Sequence, residues 1–305
     1  MLASRQRKEW CFPPKWRRPV TICIAALCDN NKTLIMVADR RVGLASGEME
    51  TDTEIKIHKI SPTWFTLVAG NDVEAAHEIA ATAGGALRDR AAQGSVNGTL
   101  DVRRELVESY RRVRMHHAAA EPLVARGWTL NEFKDKGHKS LPESTFAEID
   151  GGLQRYDLEV DLIACGFFGD DDGDIITVHN PGVGKLVTSS HFAAAGTGST
   201  AAIFSLFMRK FHSGMSLPLA LYYVYEAKVA AQRATGVGET TVMLVMRKGQ
   251  TDHVSIDESE QSDVLEIIRQ DLAPRYPSDE QVEEIRQFES LKKLPSLPSK
   301  EAQVG

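Results

Sequence analysis

The sequence predicts an α+β domain in which two sheets lie between pairs of helices, a four-layer αββα sandwich with a helical insert and a C-terminal helical appendage. Three observations predict it. Strand-like and helix-like segments come in blocks: four strands, two helices, a meander of strands, two helices and a last strand. Several strand segments (TICIAALC at 21–28, TLIMVA at 33–38, TVMLVM at 241–246) are almost unbroken apolar runs, the pattern of strands buried on both faces. The ends of the chain also differ from its middle. Residues 1–19 hold six bases and one acid, and residues 250–305 hold six bases and thirteen acids. We therefore divide the chain of 305 residues into a basic extension at 1–19, a core domain at 20–248 and an acidic appendage at 249–305.

Each element has its own signal. Asp29-Asn30-Asn31-Lys32 is a turn between the first two strands, so these should pair as an antiparallel hairpin. Residues 55–60 (IKIHKI) alternate apolar and polar, which predicts a half-exposed strand. Ser61-Pro62-Thr63 turns the chain into a fourth strand (WFTLVA), which Gly70 ends. Asn71 or Asp72 can cap a helix through Ala75, Ala76, Ile79 and Ala80, with Gly84-Gly85 as its weak point. Leu106, Val107, Tyr110 and Val113 mark one face of a second helix at 100–117. The insert at 118–155 contains two short helical pieces, 130–133 and 144–153. Strands return at 160–168, 174–179 and 185–188, with 192–195 leading into Gly196-Thr197-Gly198. Helices follow at 199–212 and 217–235. In the appendage, 256–272 and 278–291 read as amphipathic helices, with Pro274 and Pro277 between them and a proline-containing tail after them.

Composition excludes several classes. A net charge of −6 with 26% charged residues is an ordinary balance and gives no nucleic-acid surface. The longest stretch free of both charged residues and histidine, 192–208, is too short and polar to span a membrane, and residues 1–19 lack a secretory-type apolar core. The expected location is cytoplasmic. The four cysteines, Cys11, Cys23, Cys28 and Cys165, form neither a disulfide scaffold nor a C-x-x-C pair. Asp170-Asp171-Asp172-Gly173-Asp174 begins like a calcium loop but has no glutamate at the required distance, and reads as a hairpin turn. His116-His117 reads as a solvated helix end, and Gly182-Val183-Gly184 as a turn with no helix after it. No cofactor or metal is expected.

Spread along residues 20–248 are segments that together resemble the proteasome-type branch of the N-terminal-nucleophile (Ntn) hydrolases. Thr21-Ile22-Cys23-Ile24-Ala25 resembles the first strand of a catalytic proteasome β-subunit, whose mature chain starts with threonine. Val37-Ala38-Asp39-Arg40-Arg41 resembles the A-A-D-x-R that ends the family's second strand, and Lys56 sits where the family has its lysine. Val68-Ala69-Gly70 resembles the family's A-G turn, and Gly196-Thr197-Gly198 its G-S-G turn. Residues 227–238 resemble the end of the last core helix. Uncharacterised bacterial and archaeal proteasome-like chains that begin Met-Thr, with a long insert after the second helix, are the most similar. The resemblance implies Thr21 as nucleophile, Asp39 as partner of Lys56, Gly70 as the oxyanion-hole turn, and Thr197 and Thr235 in place of the family's two serines. Where many members have an aspartate three residues before the second serine, this chain has Gln232, a difference shared with the HslV-type relatives.

A terminal threonine needs no separate base: its hydroxyl attacks a carbonyl and its α-amine, with an ordinary pKa of about 7.7–8.0, takes the proton. Thr21 is internal in this sequence, and an amide nitrogen cannot act so. The reading favoured here is that translation starts at codon 20, a GUG read as methionine whose removal exposes Thr21; cleavage after Val20 and an inactive chain are the alternatives. The implied function is a threonine-type peptidase, assembled as a ring or other homo-oligomer and acting on a peptide or amide, with any ATPase partner left open. A non-catalytic assembly subunit of proteasome α type and an amidase for a small amide remain as alternatives.

Overall fold

The computed structural model describes residues 21–43, 50–51, 55–234 and 236–257. The chain divides into two units, Met1–Ile268 and Arg269–Gly305, and all described residues belong to the first. In chain order the elements are β1 (Cys23–Cys28), β2 (Thr33–Asp39), β3 (Val42–Gly43), β4 (Glu50–Thr51), β5 (Ile57–Ser61), β6 (Trp64–Gly70), α1 (Val73–Ala92), α2 (Thr99–Ala120), α3 (Leu130–Ser140) and α4 (Glu143–Arg155). Then come β7 (Val160–Gly166), β8 (Asp174–His179), β9 (Val183–Leu186), β10 (Phe192–Ala195), α5 (Ser199–Met208), α6 (Leu217–Ala231), β11 (Thr241–Arg247) and β12 (Val254–Asp257).

Two five-stranded antiparallel sheets make a mixed α+β structure. The first has the order β10-β1-β2-β11-β12 and the second β5-β6-β7-β8-β9. The sheets contact one another through β1, β6, β7, β8 and β10; α1 and α2 pack on the second sheet, α5 and α6 on the first. Strand alternation builds these layers. Along β6, Phe65, Leu67 and Ala69 enter the core shared by the two sheets, whereas Trp64 and Val68 enter the core beneath α1 and α2. Every residue of β1 and β2 is buried, and the two strands pair directly from Cys23↔Ala38 to Cys28↔Thr33. The turn between them holds Asp29, Asn30 and Asn31 at positive φ, where Asp and Asn side chains are better tolerated than most.

Several elements differ from the sequence expectation for identifiable reasons. Helix α1 is not weakened at Gly84-Gly85 but runs on to Ala92. At Gly84 a Cβ would come within 3.2 Å of the Ile60 carbonyl oxygen, so the missing side chain lets the helix lie close on β5. In the insert, α3 starts where read, behind a capping box of Thr129 and Glu132, but runs on to Ser140. The insert has its own small core, including Phe133, Ile149 and Leu153. Arg114 of α2 clamps its end by donating to the carbonyls of Leu153, Gln154 and Tyr156. The first sheet also continues past Lys248. Ile256 lies in β12, paired with Met243, and not at the start of a helix, because Val254-Ser255-Ile256-Asp257 alternates like an edge strand. The rest of the reading for 258–305, and that for 1–19, lies outside the described residues. Among the described residues no helix is long and apolar enough to cross a membrane.

Candidate active site

Pairing brings strand ends together. Cys23 lies opposite Ala38 on one side of β1 and Ala195 on the other. Continued back from β1, that register sets Ile22 level with Asp39 at the end of β2 and with Gly196 after β10, and Thr21 one residue beyond them. Gly196 has φ +97, and a Cβ there would fall on the Thr21 backbone, within 2.8 Å of its Cγ2. A glycine is required on both counts.

The side chains of Thr21, Asp39 and Lys56 form a closed, buried triangle. Thr21 Oγ1 donates to Asp39 Oδ1 at 2.7 Å. Lys56 Nζ donates to Thr21 Oγ1 at 2.5 Å, to Asp39 Oδ1 at 2.9 Å and to the Arg41 carbonyl at 2.5 Å. Those three bonds use all the ammonium's hydrogens. Asp39 also accepts from the amides of Ile22 at 2.9 Å and Gly238 at 2.9 Å. Thr21, Asp39 and Lys56 are 1%, 0% and 6% exposed. Burial of a charged pair is costly, and saturation of both partners with hydrogen bonds offsets that cost. Such an arrangement places a cation directly against a hydroxyl oxygen, where negative charge develops if that oxygen becomes a nucleophile.

Lys56 is not where alternation put it. The strand begins at Ile57, one residue later; Ile55 is 59% exposed and Lys56 is inside. The lysine turns inward because its acceptors are there, on Thr21, Asp39 and Arg41.

The other candidates lie on separate segments. Gly70 closes β6 opposite Val160, and its missing Cβ admits the Glu159 carbonyl and Val160 Cα, so its close approach is to β7 and not to Thr21. Thr197 lies between Gly196 and Gly198, both of which approach Thr21; Gly198 N is 3.4 Å from the Thr21 carbonyl oxygen. Its Oγ1 is buried with no hydrogen-bond partner among the described residues. Thr235 lies outside the described residues. Gln232 Nε2 donates to the Glu239 carbonyl at 3.0 Å.

Cys23 is close enough to feel both Lys56 and Asp39, yet it is a poor nucleophile. Burial pushes its thiol up to about 12, and its Sγ donates to the Val68 carbonyl at 3.3 Å.

Two participants were absent from the sequence reading. Gly238 acts through its backbone amide, which leaves no side-chain signal. Lys228 is 0% exposed on α6, and its Nζ donates to the Glu239 carbonyl. A signal for it did exist: Lys228 falls in the helical stripe Ala220, Val224, Ala227, Ala231, all buried.

No protein-family model matches the chain, and no curated protein matches it.

Proposed function

We propose that the chain is a threonine-type N-terminal-nucleophile hydrolase of the proteasome-like kind, cleaving an amide bond with Thr21 as nucleophile. The observation that carries this reading is the bonding of Thr21 Oγ1 to both Lys56 Nζ and Asp39 Oδ1. Few structural needs call for a buried lysine on a threonine hydroxyl, whereas nucleophilic attack by that hydroxyl does. Once Thr21 is the first residue, its α-amine accepts the hydroxyl proton as Oγ1 attacks the carbonyl carbon. Lys56 then stabilises the oxygen by its charge, and Asp39 holds Lys56 in place. The amine returns the proton to the leaving nitrogen, and water releases the acyl group from the ester. The Thr197 hydroxyl, buried and unpartnered beside Thr21, is suited to orienting that amine.

The same reading makes the chain a self-assembling subunit, since proteasome-like domains pair through their helical layers. Phe204, Phe207 and Met208 on α5, and Leu219 on α6, are between 42% and 68% exposed, a concentration of apolar surface that supports it. Leu206 on α5 and Phe211 just after it are buried and take no part.

Intact-mass measurement and N-terminal sequencing of the native protein should give Thr21 as first residue. A peptide epoxyketone or β-lactone should add to Thr21 and fail to add to Thr21→Ala, with light scattering showing an oligomer. A native chain that keeps residues 1–20 and resists the probe favours the second reading, a non-catalytic subunit. That reading draws on the 1% exposure of Thr21.

A further inference from the structure

Among the described residues, Lys228 is the largest departure from ordinary burial that the proposed chemistry does not use. It is fully buried in a stripe of alanine and valine, on the face of α6 turned toward the first sheet. An ammonium in such a place requires acceptors. The Glu239 carbonyl supplies one, and three side chains converge on it: Lys228 Nζ, Gln232 Nε2 at 3.0 Å and Thr241 Oγ1 at 3.3 Å. One residue before Glu239, the Gly238 amide donates to Asp39 Oδ2 at 2.9 Å. Gly238 is pressed against that carboxylate: a Cβ there would stand 3.1 Å from Asp39 Oδ2 and 2.7 Å from Arg41 Cβ. The Gly238-Glu239 pair is thus pinned at both ends, to Asp39 by the Gly238 amide and to α6 by the Glu239 carbonyl. On the other side of Asp39, Oδ1 receives Thr21, Ile22 and Lys56. Rotation of the carboxylate would move Oδ1 off all three donors, and the Gly238 amide is the group that resists it.

We propose that Lys228 is a positioning residue for the Thr21 site, acting through the Glu239 carbonyl and the Gly238 amide to fix the orientation of Asp39. Gln232 shares the task from the solvent side. In this chain a buried cation and an amide side chain, both donors, grip the turn by its carbonyl. The catalytic part of this inference rests on the function proposed above; the positioning part does not.

The test compares Lys228→Met, Lys228→Arg and Gln232→Ala with the parent chain in two measurements. Hydrogen exchange of the amides at 236–238 reads the position of the turn without requiring activity. Second-order labelling of Thr21 by a peptide epoxyketone, resolved into its maximal rate and half-saturation concentration, reads the site. Methionine fits the stripe and removes the buried charge, so Lys228→Met is expected to fold. It should exchange the Gly238 amide about 10-fold faster and lower the maximal labelling rate about 10-fold or more, with half-saturation changed less than about 2-fold. Lys228→Arg, which keeps a donor of similar reach, should restore both to within about 3-fold. Unchanged exchange at Gly238 in a folded Lys228→Met overturns the proposal. So does faster exchange with an unchanged labelling rate, which would leave Lys228 a holder of the turn alone. If Lys228→Met does not fold, Gln232→Ala decides: its Gly238 amide should exchange about 3-fold faster, and no change overturns the proposal. A parent chain that is never labelled sinks the hydrolase reading, while the exchange arm still supports or overturns the link from Lys228 to Asp39.

Discussion

Strand β2 carries a polar cluster at each end, about 20 Å apart along seven residues. At its start, Asp29, Lys32, Thr33, Arg247 and Lys248 line an open cleft of about 650 Å³. There Asp29 accepts from Thr33 Oγ1 at 2.8 Å and from the Leu217 amide at 3.1 Å, and Lys248 reaches Asp172 at 3.2 Å across the surface. At its end, Asp39 takes four donors in a space closed to solvent. The cleft has volume and charge but no group held against another in a way that changes its reactivity. At the closed end the side chains of Thr21, Asp39 and Lys56 are aimed at one another. Concavity is the usual guide to a site; here the arrangement of donors and acceptors is the better one, because chemistry needs a directed hydroxyl more than it needs room.

Substitution of the two aspartates separates the ends most sharply. Asp39→Ala leaves Lys56 buried without its carboxylate and two amides unpaired, and should cost about 3–5 kcal/mol in urea unfolding. Asp29→Ala loses two bonds in a half-exposed turn and should cost about 1–2 kcal/mol. Comparable losses would mean that burial does not distinguish the clusters. Next in size is Gly238→Ala, whose methyl group meets Arg41 Cβ and the Asp39 carboxylate. It should destabilise by about 1–3 kcal/mol, read from the same unfolding curves, and slow labelling of Thr21.

Acid provides a third contrast. His58, two residues beyond Lys56, meets His77 edge to face with ring centroids 4.6 Å apart, and burial, with His77 adding to it, lowers its pKa from 6.5 to about 4. Between those values the unfolded chain takes up a proton that the folded chain refuses. Stability is therefore complete above pH 6.5 and falls as the pH drops toward 4. Allowing for partial exposure, the loss is on the order of 2 kcal/mol, or about 5 °C in melting temperature. His58→Gln should flatten that part of the profile; an unaltered slope places the acid-sensitive group elsewhere. Smallest are Lys32→Ala and Arg247→Ala at the open end. Each should change stability by less than about 0.5 kcal/mol and leave labelling of Thr21 untouched.

What could be read in advance follows from which groups carry a pattern. The β1–β2 hairpin was legible because two apolar runs flank Asp29-Asn30-Asn31-Lys32, and its register then places Ile22 level with Asp39 and Thr21 one residue beyond. Lys56 was legible only by resemblance, since alternation alone sent its side chain to solvent. The Gly238 amide was not legible, because a backbone donor is set by the path of the chain. Gly70 shows the reverse: a glycine announces a close approach without saying to what, and the one that its missing Cβ allows is to Glu159 and β7. Lys228 was hidden by habit, since a lysine in an apolar helix stripe is ordinarily assumed to reach out along its stem.

The three cysteines described in the structure are all free and buried, and burial raises the pKa of each, Cys23 and Cys28 to about 12. Thiols in that state are poor reducing agents as well as poor nucleophiles, since oxidation and exchange both begin from the thiolate. Cys23 stands two residues from Thr21 and shares its electrostatic surroundings, so its silence matters most. Peroxide or a disulfide reagent that disables a cysteine-based hydrolase should pass over these three sulfurs and leave the Thr21–Lys56–Asp39 triangle as it was. The cluster is in this sense indifferent to redox conditions: its working atoms are oxygen and nitrogen, and the sulfur beside them is shielded by the fold.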